Sequence, residues 1–323
     1  MKLVLLVEEY LDHCRHTKKL SEHSLRAYDI DLKEWMRFAR PSRCIGKCSR
    51  GLIKDYVRYL FEDRGLKEAS VKRRIACLKA MFRWLEMEDR IDENPFRRMS
   101  LRIRLPSALP KSLPRHEIRR LMRMLVKRLG FVDRASCRGD LLFDAVRDAI
   151  DFSYLTTLVA VELLFVTGIR IGELTGLQLQ DLDLRDGNIR IRGKGNRERV
   201  VFLPCQDTRD LVKTYLKLRQ QRCPTGNSLL VLPQGRPANS QYLRQKVRVA
   251  GQEAGLSRKI TPHMLRHTTA TELLNNGVDI RFVQKLLGHQ SITTTQIYTQ
   301  ISDAALKRAI KKGHPMKGLI GAL

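Results

Sequence analysis

Acidic residues are scarce in this chain. Among 323 residues, 34 Asp and Glu stand against 61 Lys and Arg, giving a net charge of +27 and a pI near 10.3. An excess of that size calls for a polyanionic partner, nucleic acid first and an acidic membrane surface second. Unbroken apolar runs of 18 residues are missing, so no membrane partner is expected. The opening MKLVLLVEEY turns acidic too soon for a signal peptide. Paired CxxC motifs are missing too. The seven cysteines, at 14, 44, 48, 77, 137, 205 and 223, are odd in number and scattered, which argues against a disulfide framework or a zinc site. A reducing compartment, the cytoplasm, fits that usage. What is present excludes a disordered chain: 43% of residues are hydrophobic, and the length suffices for two domains with a core each.

Residues 1–94 read as helices only. SEHSLRAYDIDLKEWMRFAR has Ser21 as an N-cap; SRGLIKDYVRYLFEDRG opens at Ser49 and stops at Gly65. SVKRRIACLKAMFRWLEMEDR opens at Ser70 and sets Ile75, Leu78, Met81, Phe82 and Leu85 on one stripe. The first turn of that helix holds Lys72, Arg73 and Arg74, either a solvated charge run or a DNA-facing patch. Next, residues 95–113 form a basic, proline-rich linker in which Pro95, Pro106 and Pro110 forbid a long helix. Arg102 and Arg104 in this segment are further DNA-contact candidates. The second domain, 114–323, carries most of the positive field: 38 basic against 18 acidic residues after position 100, compared with 23 against 16 before it. It is mostly helical. Within it, DLDLRDGNIRIRGKGNRERVVFLP switches to period two, with turn signals at Asp186-Gly187 and at 194–196, and reads as a three-stranded antiparallel sheet.

In TPHMLRHTTATELLNNG, Thr261 caps, Pro262 fits the first turn and Gly277 terminates. His263 and Arg266 then share a helix face. His263 and His267 have a zinc spacing, but an arginine stands where a metal site would want a carboxylate. In TGIRIGEL, Arg170 lies at a helix start with Glu173 three residues on, which by itself is an ordinary ion pair. Lys194 sits in a glycine-flanked hairpin, solvated or reaching into a neighbouring groove. His289 and Tyr298 belong to LGHQSITTTQIY, where three β-branched threonines hold a helix poorly. Taken together, two arginines, a lysine, two histidines and a tyrosine in a basic domain suit one reaction. Breaking a phosphodiester without metal needs fixed cations on the non-bridging oxygens, a nucleophile, and a proton donor for the leaving oxygen.

The motifs TGIRIGEL, GKGNRERVV, HMLRHTTAT and LGHQSITTTQIY, in this order, resemble the tyrosine recombinases of the phage-integrase type, more narrowly the two-domain Xer-like members. The resemblance covers nearly the whole chain. It implies a mainly α fold: a four-helix, SAM-like core-binding domain, then a mostly helical catalytic domain with a small sheet. It implies site-specific cutting and rejoining of DNA through a 3′-phosphotyrosine, with no cofactor and no metal. Tyr298 matches the nucleophile, Arg170 and Arg266 the phosphate-gripping pair, and Lys194 the donor to the leaving 5′-oxygen. His263 matches the group assisting proton transfer, His289 a supporting donor, and Glu173 a structural support for Arg170. The implied partners are double-stranded DNA and three further copies in a tetramer, each C-terminal tail (Met316 onward) docking on a neighbour. Weak helix formers around Tyr298 then suit a nucleophile gated by assembly. This sequence departs from the family at Pro114, where Ser or Thr is usual, and in extra residues around 130–154, an added helix or a loop extension. A type IB topoisomerase, or a DNA-binding protein without chemistry, are the competing readings.

Overall fold

The computed structural model describes the chain except residues 1, 41–44, 98, 105–111, 135, 138, 147–148, 194–197, 289–302 and 317–323. It divides into two units, Met1–Ala108 and Leu109–Leu323.

The first unit contains α1 (Leu3–His16), α2 (Glu22–Ala39), α3 (Arg50–Glu62) and α4 (Glu68–Met87). Ser21 and Ser49 cap α2 and α3, their hydroxyls accepting from the amides of Ser24 at 3.3 Å and Leu52 at 3.2 Å. Past α3, Gly65 takes the positive φ of +56° that turns the chain. α4 starts at Glu68, earlier than the expected start at Ser70. The Lys67 carbonyl accepts from the Ser70 amide at 2.8 Å, and Glu68 puts negative charge at the helix N-terminus, where the dipole favours it. Lys72, Arg73 and Arg74 therefore lie beyond the first turn. The stripe Ile75, Leu78, Met81, Phe82 and Leu85 is buried. It closes on Trp35, which is fully buried and meets Tyr56 edge-on at 4.9 Å. The first stretch of the proline-rich segment is tied to this core, because Phe96, Met99, Leu101 and Ile103 pack against it.

The second unit is built around α7 (Ala149–Thr167), which packs against α5 (Arg115–Arg128), α9 (Gln206–Arg222), α10 (Ser240–Glu253) and α11 (Pro262–Asn275). α7 is apolar on all sides, as a helix enclosed by others must be. Its span Ile150–Thr167 is long and apolar enough to cross a membrane, but 83% of it is buried inside the protein. α5 is capped at Pro114, whose side chain makes no capping hydrogen bond. The segment ahead of it is anchored by Leu113, whose amide donates to Thr268 Oγ1 at 2.8 Å.

The extra segment forms the short helix α6 (Gly139–Ala145), packed on α9. It is held by Arg134, fully buried, which donates to Glu162 Oε2 at 2.8 Å and Oε1 at 3.1 Å, and to the carbonyls of Cys137 and Asp207. After α8 (Ile171–Gly176), strands β1 (Leu182–Asp183), β2 (Asn188–Arg192) and β3 (Glu198–Phe202) form an antiparallel sheet in sequence order, with Arg190 opposite Val200. Gly187, at φ +68°, makes the first turn.

α12 (Ile280–Leu287) and α13 (Asp303–Gly313) complete the unit. α13 packs on β3, α11 and α12 of its own chain through Leu306 and Ile310. Met316, expected to leave with the tail, is instead 1% exposed in this core. A thioether beside these apolar side chains gains more from staying than from solvent.

Candidate active site

Three chain segments meet where the motifs predicted chemistry. α7 ends at Thr167, and Gly168 follows with φ +65°. A Cβ there would come within 2.6 Å of Leu287 Cδ2, so only glycine lets the end of α12 approach. Arg170 is the N-cap of α8, and its amide donates to Glu173 Oε2 at 2.7 Å. Its guanidinium donates to Glu173 Oε1 at 3.0 Å while staying half exposed.

Glu173 is more than an exposed partner of Arg170. Its side chain is 8% exposed and also receives Arg199 from β3, at 2.9 Å on one oxygen and 2.8 Å on the other. Burial pushes the Glu173 carboxyl up, but hydrogen bonds from Arg199 and the Arg170 amide outweigh it, so the group lies below its ordinary value. Arg199 additionally donates to the Leu286 carbonyl at 2.9 Å.

Arg266, on α11, is 6% exposed and bridges two segments, donating to the Gly168 and Leu287 carbonyls, each at 2.7 Å. Burial, then the neighbouring Arg170, pushes its guanidinium down to about 10, so it stays charged at neutral pH. Thr261 caps α11 by accepting from the Met264 amide, with Pro262 in the first turn. Gly277, at φ +77°, follows its end. In the first turn of α11, His263 stands with Nε2 3.1 Å from Nε2 of His267. Burial, then His267, Arg266 and Arg170, hold the His263 imidazole below its ordinary value.

Arg170, His263 and Arg266 line one pocket of about 530 Å³, with Arg244 and Lys259 among its other walls and no carboxylate lining it among the described residues. Four cations and a largely neutral imidazole around one opening make an anion site that can also take up a proton. The structure thus brings Arg170, Glu173, His263 and Arg266 together. Lys194, His289 and Tyr298 lie outside the described residues.

The proposed DNA contacts of the first unit divide. Lys72, Arg102 and Arg104 are exposed, the last two alternating with the partly buried Leu101 and Ile103. Arg73 donates to the buried Asp31, and Arg74, 12% exposed, has its Nε 3.8 Å from the same carboxylate. Those two are bound to the fold through Asp31.

Sequence reasoning missed Arg199, and weighed His267 only as a metal ligand. Arg199 had a legible signal: on β3 it shares a strand face with the buried Val201, an arginine in an inward register.

The chain matches the phage integrase family over residues 140–305, and the phage integrase N-terminal SAM-like domain over 7–89. The tyrosine recombinase XerC of Listeria innocua is 34% identical over 319 residues, covering 96% of this chain and 97% of that protein. Among solved structures, the Tn1549 transposon integrase in complex with transposon right-end DNA aligns with a TM-score of 0.69 at 19% identity, over 97% of this chain and 99% of that one. A lambda integrase tetramer bound to a Holliday junction aligns at 0.66 and 20%, over 94% and 81%. At those identities the two structures show a shared fold.

The chain belongs to the phage integrase family. It is an enzyme of the tyrosine recombinase kind, cutting and rejoining DNA strands.

Proposed function

We propose that the pocket of Arg170, His263 and Arg266, lined by no carboxylate among the described residues, holds the scissile phosphate of a site-specific recombination target. That single arrangement supports the reading best. Two guanidiniums on separate helices present a fork to the non-bridging oxygens, and their positions are preset by Glu173 and by the Gly168 and Leu287 carbonyls. His263, kept neutral, takes the proton of the attacking Tyr298. Tyr298 forms a 3′-phosphotyrosine; Lys194 protonates the leaving 5′-oxygen, and His289 adds a donor to the phosphate. The positive charge supplied by arginines stands in for a metal ion.

The lambda integrase that this fold resembles forms a tetramer on a Holliday junction, and the same assembly is proposed here, on double-stranded DNA in the cytoplasm. Residues 317–323, KGLIGAL, carry three large apolar side chains at Leu319, Ile320 and Leu323. We place them on the neighbouring protomer, with Met316 as their root in the home subunit. Proposed backbone contacts of the first unit are Lys72, Arg102 and Arg104.

The test is covalent capture. Nicked duplexes are selected from a randomised library as protein-bound adducts on a denaturing gel. Tyr298→Phe is expected to bind the selected duplex and form no adduct; an adduct from this variant would remove Tyr298 from its role. Strand exchange between two selected duplexes, rather than relaxation of a supercoiled circle alone, separates a recombinase from a topoisomerase. Deleting 317–323 is expected to preserve single-site binding and lower strand exchange.

A further inference from the structure

His263 and His267 lie one helical turn apart on α11, both on the exposed side. Their Nε2 atoms are 3.1 Å apart, and the rings meet at 82° with centroids 4.5 Å apart. Two neutral imidazoles at that distance need one Nε2–H and one bare Nε2. The pair therefore holds opposite tautomers, with one proton between them. Among the described residues no third His, Cys, Asp or Glu joins them as a potential metal ligand.

The surroundings of His263 make it a poor place for a proton to stay. Arg170, Arg266, Arg244 and Lys259 line its pocket, and among the described residues no carboxylate does. His267 is one hydrogen bond further out.

We propose that His267 is a proton relay for His263, receiving on its Nε2 the proton that His263 releases as it takes up the nucleophile's. This rests on the reading of His263 as the base. The tyrosine O–H bond breaks and its proton bonds to His263 Nδ1. The proton of His263 Nε2 passes to His267 Nε2. His263 ends neutral in the other tautomer, and His267 is the imidazolium until water takes its Nδ1 proton. Charge balances: one tyrosinate and one hydronium. His267 acts through His263 and is a positioning residue, not one that touches the phosphate. The relay lets a base surrounded by cations accept a proton without adding a further charge to the phosphate pocket.

The experiment is single-turnover adduct formation by the full-length chain on the captured nicked duplex. His267→Gln keeps a hydrogen-bonding side chain but takes up no proton; His267→Ala opens space for added imidazole. Both are expected to bind the duplex as wild type does and to cleave about tenfold more slowly, a fraction of what a positioned base supplies. Imidazoles added to His267→Ala are expected to restore the rate in step with their basicity. A wild-type rate in His267→Gln, or a slow His267→Ala that imidazoles do not restore, overturns the relay. His263→Gln separates the two readings. If it is slow while His267→Gln is not, the relay alone falls; if both cleave at the wild-type rate, the base assignment falls with it.

Discussion

Glu173 and Arg199, on α8 and β3, form a two-pronged ion pair, guanidinium to carboxylate at 2.9 and 2.8 Å, with the arginine 16% and the acid 8% exposed. The pair ties the small sheet to the helix start that carries Arg170. The β2–β3 hairpin is thereby tied to the same carboxylate that receives the Arg170 guanidinium. Glu173→Gln keeps the shape and removes the charge, leaving Arg199 without its counter-ion. Stability is expected to fall by about 2 kcal/mol in chemical denaturation, and adduct formation by about tenfold or more.

The same carboxyl predicts an acid dependence. Its folded-state value lies below the ordinary 4.5, so the unfolded chain binds its proton first as pH falls. The stabilisation is complete above about pH 4.5 and disappears as pH falls through the lower folded value. Denaturation midpoints of wild type and Glu173→Gln are therefore expected to converge as pH falls below 4.5 and to differ most near neutrality.

Arg266→Lys tests geometry against charge. A lysine has the charge but cannot span the Gly168 and Leu287 carbonyls while also presenting a fork to phosphate. Adduct formation is expected to drop at least a hundredfold, with duplex affinity within about threefold of wild type. Near-normal cleavage by this variant would show that point charge suffices.

As the proposed base, His263 is expected to set the acid limb of cleavage. Its depressed value keeps the imidazole neutral at pH values where an ordinary histidine, near 6.5, is half charged. The single-turnover rate is expected to hold its plateau through pH 6.5 and decline only below it. A half-maximal point above 6.5 would mean that another group is the base.

Cleavage is expected to continue in excess EDTA, since Arg170 and Arg266 are proposed to supply the positive charge. Binding of the captured duplex should weaken linearly in log–log coordinates as salt rises, a slope read from a salt titration. Loss of cleavage in EDTA, with return on adding a divalent ion, would contradict the proposed phosphate site.

Arg134 and Glu162 are both fully buried, so removing one partner strands a charge. Arg134→Ala is expected to destabilise the protein by about 3–5 kcal/mol. The double change Arg134→Met with Glu162→Leu should recover most of that loss in the same denaturation experiment.

Much of the fold was legible because it depends on local signals. Ser21, Ser49, Thr261 and Gly187 each act through the backbone within a few residues, and the α4 stripe is a spacing on one helix. The start of α4 was misread because Ser70 is only one of several residues able to stand there, and Lys67 and Glu68 outcompeted it. The site motifs were legible as residue types in order, since phosphate chemistry restricts which side chains serve. Their partners were not. Arg199 reaches Glu173 from 26 positions away, Arg134 reaches Glu162 from 28, and Asp31 claims Arg73 from 42. Met316 shows the same limit, an apolar residue near the chain's end that packs into its own core instead of leaving with the tail. Local conformation and side-chain chemistry are properties of short sequence, so the sequence alone determined the helix caps and the sheet and set out the candidate reacting groups. Which charge neutralises which, and which apolar residue finds a core, depends on distances that exist only after the chain has closed on itself, and those the tertiary structure decided.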